Sequence, residues 1–212
     1  MIPKRTSRSK KILAVSTVLI VAGVMLMLYP PFTDAYAGYI QAKLRALYHG
    51  NGQAVEEPEE AAEEPAIVNP ENEAVRTPAE FTGALLEIPA LDLEAAVVKG
   101  TDSKALRQGP GWYEESALPG EGNTAIAAHR TTYGGWFRRL DELQAGDVII
   151  LGYGETTFRY EVEKVYVVAS DDWSVIAPTE TPALTLTTCH PIGSTKQRLV
   201  VRAGLTDADT KE

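Results

Sequence analysis

Three textures of hydrophobic and polar positions follow one another along this chain. Residues 12–29 form an uncharged, largely apolar run closed by Pro30 and Pro31, about the length a bilayer core requires of a helix. Over residues 34–49 the larger apolar and aromatic positions, Tyr36, Tyr39, Ile40, Leu44, Leu47 and Tyr48, recur at helical intervals, which predicts an amphipathic helix beside the span. Residues 50–80 lose this periodicity, with glutamates interspersed with Pro58, Pro65, Pro70 and Pro78 against the single basic residue Arg76. Such a stretch cannot bury enough apolar surface to fold and predicts an extended, self-repelling spacer.

Beyond residue 81 the texture becomes short alternating stretches separated by turn residues, the pattern of a mostly β domain. Strands are predicted over residues 83–88, 93–99, 123–129, 147–151, 156–169, 183–189 and 198–205, with short helices near 103–107 and 136–143. Leu151-Gly152-Tyr153-Gly154-Glu155 reads as a hairpin connection, with Phe158, Tyr160 and Val162 alternating behind it. Many short strands with few helices predict a closed or nearly closed barrel. The chain divides accordingly into a basic tail (1–11), a transmembrane anchor (12–29), a juxtamembrane helix (30–49), an acidic spacer (50–80) and a β domain (81–212). Residues 1–80 are expected to deliver the domain without contributing to its chemistry, so that a fragment starting near Thr77 would fold and act alone.

Charge adds orientation to this picture. Lys4, Arg5, Arg8, Lys10 and Lys11 precede the apolar run, which keeps the tail in the cytoplasm and places everything after Tyr29 outside. Ala35-Tyr36-Ala37 resembles a signal-peptide cleavage site. The length of the run and the two prolines before that site favour a retained anchor, and on either reading the β domain is exported. A net charge of -9 with no basic stripe disfavours nucleic acid as a partner. The single cysteine, Cys189, excludes an internal disulfide and any metal site built from paired cysteines. No metal or cofactor motif is visible, which leaves Cys189 as either a buried small residue or a reactive thiol.

Three histidines compete to partner that thiol. His49 adjoins the spacer, and His190 is adjacent to Cys189, so that in a continuing strand it points to the opposite face. His129 remains. Strand parity supports it: Leu184 and Leu186 define an apolar face that leaves Thr185, Thr187 and Cys189 on the other. Ile126 and Ala128 leave His129 opposite, and Leu199 and Val201 leave Arg198 and Arg202 opposite. If the apolar faces fill the barrel, Cys189, His129 and Arg198 project from its outer wall and can share a groove. Thiolate, imidazole and guanidinium together suit acyl transfer, as nucleophile, proton carrier and oxyanion or substrate donor. A buried thiol, a surface histidine and a strand-edge arginine are the ordinary alternative.

The segment Thr185-Leu186-Thr187-Thr188-Cys189, with Arg198 nine residues after the cysteine, resembles the sortase signature T-L-x-T-C and its downstream arginine. Ala128-His129-Arg130-Thr131-Thr132-Tyr133-Gly134 is similar to the histidine region of that family. The resemblance implies an eight-stranded sortase-type β-barrel preceded by a single N-terminal transmembrane helix. It implies that Cys189, His129 and Arg198 are catalytic and that Thr188, Tyr113 and Tyr133 contact substrate. The activity it implies is transpeptidation: a C-terminal sorting signal is cleaved between threonine and glycine through a thioacyl intermediate on Cys189, and the protein passes to a peptidoglycan-precursor amine. His129-Arg130-Thr131-Thr132-Tyr133 and Thr188-Cys189-His190-Pro191 look most like class E sortases, whose preference for Leu-Ala-x-Thr-Gly over Leu-Pro-x-Thr-Gly would map to Tyr113. The absence of an Asp-Pro element implies attachment of surface proteins to the wall rather than pilus assembly. An exported cysteine L,D-transpeptidase and a non-catalytic surface module remain as alternatives, although the residues before Cys189, Thr187 and Thr188, do not match the Ser-His-Gly-Cys motif of the former.

Overall fold

The computed structural model describes residues 7–50 and 81–210. Helix α1 (Ser7–Gly50) precedes eight strands: β1 (Phe81–Ile88), β2 (Leu93–Lys99), β3 (Gly111–Trp112), β4 (Asn123–Ala127), β5 (Val148–Tyr153), β6 (Thr156–Ala169), β7 (Ala183–His190) and β8 (Gln197–Thr210). A one-turn helix α2 (Ser103–Leu106) lies between β2 and β3. The strands close into a barrel in the order β1-β2-β3-β4-β7-β8-β6-β5, so no sheet edge is left open. The acidic spacer, apart from Gly50, lies outside the described residues, as do Lys4 and Arg5 of the basic tail.

The interior follows strand parity. Leu184 and Leu186 of β7, Leu199, Val201 and Ala203 of β8, Ile126 of β4 and Leu86 of β1 meet in one buried cluster with Tyr160 and Val162 of β6. Gly154 and Glu155 form the two-residue turn between β5 and β6, and Gly154 takes φ 58°, which suits a residue without a Cβ. Two expectations change. The eighth strand, β3, is two residues long and bridges β2 in parallel and β4 in antiparallel fashion, too short to carry a period. The helix expected near residues 136–143 is instead a set of turns ending in a 3-10 turn over Leu140–Glu142. Phe137 and Leu140 are buried three residues apart, which matches the tighter 3-10 repeat.

The largest departure concerns α1. Its apolar part is long enough to cross a membrane, but the helix runs through Pro30 and Pro31 without stopping. Each proline removes one backbone donor, and the Thr33 hydroxyl donates to the Pro30 carbonyl at 2.8 Å across that turn. The following residues then dock on the outside of the barrel. Leu44 packs with Leu85 of β1, Ala96 and Val98 of β2, and Ala105 of α2. The fully buried Gln41 accepts from the Ala96 amide at 2.8 Å and donates to the Ala96 and Gln108 carbonyls at 2.9 and 3.0 Å. A Cβ at Gly109 would collide with Gln41, and one at Gly152 with the Tyr48 hydroxyl. The second half of α1 therefore packs on the barrel, and a fragment starting near Thr77 would lack these contacts.

Candidate active site

Cys189 pairs directly with Arg198 across β7 and β8. On its other side β7 runs parallel to β4, with Ala127 matched to Thr187, and the Ala128 amide donates to the Thr187 carbonyl at 3.2 Å. His129 follows Ala127 by the same two residues by which Cys189 follows Thr187. Three adjacent strands thus bring His129, Cys189 and Arg198 to one end of the barrel wall. All three are partly exposed, with the thiol free of any disulfide. The Arg198 guanidinium donates to the carbonyls of Thr195 and Gln197 at 3.0 and 3.1 Å, which holds its stem against the loop between β7 and β8.

His129 is half-buried, and its pKa is held below the ordinary imidazole value, first by desolvation and then by the positive charge of Arg107. Tyr133 lies beside it, ring centroids 5.6 Å apart and tilted by 33°, and Arg107 stands over the Tyr133 ring at 5.6 Å. The loop between them is tied back to the strand end, since the Phe137 amide donates to the His129 carbonyl at 3.2 Å.

The remaining predicted residues divide by strand face. The hydroxyls of Tyr113 and Thr187 lie 3.0 Å apart, so Tyr113 sits one pleat from Cys189 on the same side of β7. Trp173 meets it edge-on with centroids at 6.5 Å. Further along that side, Thr185 donates to Asn123 at 2.6 Å, and Arg202 and Asn123 both donate to the Val175 carbonyl at 3.0 and 2.9 Å. Thr188 behaves differently: it is buried on the interior side of β7 and its hydroxyl donates to the Ala128 carbonyl at 2.8 Å. Its hydrogen bond joins the end of β7 to the chain just after β4, beside His129 and Cys189.

Two basic residues were not singled out in the sequence for a role of their own. Arg130 is almost fully buried. It pairs with Asp141 at 2.7 Å, donates to the Cys189 carbonyl at 3.4 Å and lies 3.1 Å from Nδ1 of His190. A guanidinium can only donate, so with neutral His190 its Nδ1 is the acceptor and the proton sits on Nε2. His190 thus faces Arg130, on the side of β7 opposite Cys189. Arg107 is the second, and its place between α2 and the Tyr133 ring is set by a chain separation that no local pattern records. The adjacency of Arg130 to His129 was the only available signal for the first, because its partners, the Arg138 carbonyl, Asp141, the Cys189 carbonyl and His190, are 8, 11, 59 and 60 residues away.

A family model described as a sortase domain matches residues 86–206. Sortase D of Bacillus subtilis is 40% identical over 124 residues, covering 55% of this chain and 60% of that protein. Sortase SrtE1 of Streptomyces coelicolor is 33% identical over 135 residues, covering 56% of this chain and 38% of that protein. The chain therefore spans less than two thirds of the length of either relative. Among solved structures, sortase E from Streptomyces avermitilis aligns with a TM-score of 0.57 at 34% identity, over 64% of this chain and 93% of that one. A Clostridium perfringens sortase D5 transpeptidase aligns with a TM-score of 0.55 at 31% identity, over 60% and 82%.

Proposed function

This chain belongs to the sortase family, and on that premise we propose that it is a membrane-anchored cysteine transpeptidase in which Cys189 is the nucleophile, His129 the proton carrier and Arg198 the oxyanion or substrate donor. The observation that carries this reading is the register of β4, β7 and β8, which sets His129 and Arg198 on either side of Cys189. The Cys189 thiolate attacks the carbonyl of threonine in a sorting signal, and the threonine–glycine amide breaks as His129 gives a proton to the departing amine. An incoming amine, the terminal group of a peptidoglycan precursor, then loses its proton to His129 and attacks the thioester. The new amide forms and the thiolate leaves. No cofactor takes part.

Tyr113 and Tyr133 are assigned to the substrate groove. Tyr113, hydrogen-bonded to Thr187 beside Cys189, is placed to meet the alanine or proline of a Leu-Ala-x-Thr-Gly or Leu-Pro-x-Thr-Gly signal. Thr188 is assigned to holding β7 against β4 rather than to touching substrate. The basic residues before the apolar run put the catalytic domain on the extracellular face, where surface proteins bearing the signal are the substrates.

The test is cleavage of a signal peptide by the full chain and by Cys189→Ala, His129→Ala and His190→Ala, together with labelling by a thiol-directed vinyl sulfone. Cys189→Ala should be inactive and unlabelled, and His129→Ala nearly as damaged. His190→Ala should keep substantial turnover because its ring faces Arg130. Turnover without Cys189, or a more severe loss at His190 than at His129, would overturn the assignment.

A further inference from the structure

The loop that leaves His129 carries three consecutive residues of left-handed backbone: Tyr133 at φ 50°, Gly134 at 86° and Gly135 at 50°. For tyrosine that conformation costs on the order of 1 kcal/mol or more and persists only where surrounding contacts over-determine it. Some of those contacts are internal, such as the Gly135 amide donating to the Thr132 carbonyl at 3.0 Å and Arg138 to the Thr131 carbonyl at 3.3 Å. Two come from α1, a hundred residues earlier. The Asp34 carboxylate accepts the Gly134 amide at 2.9 Å, and the Tyr29 hydroxyl lies 3.2 Å from that of Tyr133.

These are contacts from a fixed platform. Thr33 and Ala37, on either side of Asp34, are buried, and Gln41 locks the next two turns to β2 and to the chain ahead of β3. Tyr133 in turn is the ring against which His129 leans. The chain of contacts runs from the helix through Gly134 and Tyr133 to the imidazole.

We propose that α1 is a working part of the site, with Asp34 and Tyr29 as positioning residues that hold the loop of residues 130–135, and through Tyr133 the His129 ring, in the geometry used for transfer. This rests on the assignment of His129 above and adds a role for residues that precede the barrel. The capping oxygen of Asp34 is what the loop requires, rather than its charge, so asparagine should substitute where alanine cannot.

The experiment compares full-length protein in detergent micelles as wild type, Asp34→Ala, Asp34→Asn and Arg45→Ala, on one signal peptide, with amide exchange followed at Gly134. Arg45→Ala removes the pair that the same helix makes with Glu94 of β2, eleven residues along from Asp34, and so controls for general loosening of α1. Asp34→Ala should lower kcat by roughly tenfold with KM held within about twofold, the signature of a displaced reacting group. It should also speed exchange at Gly134, while Asp34→Asn and Arg45→Ala stay near wild type in both readouts. Wild-type kcat in Asp34→Ala, or equal losses in Arg45→Ala or Asp34→Asn, overturns the proposal alone. Turnover that survives Cys189→Ala overturns the functional reading, and this proposal with it.

Discussion

At the scale of single residues, the site depends on charges that strand parity does not reveal. Arg107 opposes protonation of His129, adding to the larger effect of burial. The sign follows directly: a pKa below the ordinary value keeps the imidazole neutral to a lower pH than in water, and removing the cation moves the midpoint back up. Arg107→Gln should therefore raise the His129 midpoint, read from its C2 proton by NMR, while burial keeps it under the ordinary value. The acid limb of kcat/KM should move to higher pH with it. A midpoint that stays or falls would show that the Arg107 charge does not reach the ring. Arg130 plays a different part, fastening the Cys189 carbonyl and the His190 ring to Asp141 at the end of β7.

Among the elements, α1 does two jobs. Its first half is apolar, exposed and of spanning length. Its second half is amphipathic, as the spacing of Ile40, Leu44 and Tyr48 predicts, and that apolar face is buried on β1, β2 and α2. Gln41 sits in the middle of the face as a polar residue with every bond directed at backbone. Its replacement by alanine strips a buried amide of its acceptor, a loss worth about 1–3 kcal/mol beyond the packing. Gln41→Ala should lower the thermal midpoint of the full chain by several degrees, whereas Tyr39→Ala, on the 70% exposed side of the same helix, should leave it unchanged. Equal midpoints for Gln41→Ala and wild type would mean that α1 does not stabilise the barrel.

For the whole molecule, Tyr160 reports on the closed barrel. Its ring is fully buried among residues of β1, β4, β7 and β8, and burial pushes its hydroxyl up to about 12. The unfolded chain ionises this group near 10, so between those values the folded state holds a proton that the unfolded state has released. Stability from this source is fully present below pH 10 and is lost as pH rises toward 12. Tyr160→Phe should lose less stability than wild type between pH 9 and pH 11, measured by urea denaturation. Parallel losses in the two proteins would show that the phenol ionises without opening the barrel.

Much of this protein was legible in its sequence because the decisive signals are local. Period-two alternation fixed which faces of β4, β7 and β8 fill the barrel, and hence that Cys189 and Arg198 share its outer wall. The apolar run and the helical spacing after it marked both halves of α1, and Leu-Thr-Thr-Cys carried the family. The tertiary structure decided what depends on separations no window spans. A two-residue strand closed the barrel, because pairing partners on both sides supply what its own length cannot. Thr188 turned inward with Leu186 and spent its hydroxyl on Ala128. Prolines that signal a helix end in isolation were carried through by docking, since the bonds of Gln41 and the burial of Leu44 outweigh two missing donors. Arg107, Arg130, Asp34 and Tyr29 reached the site for the same reason: each meets a partner distant in sequence, and only folding sets those distances.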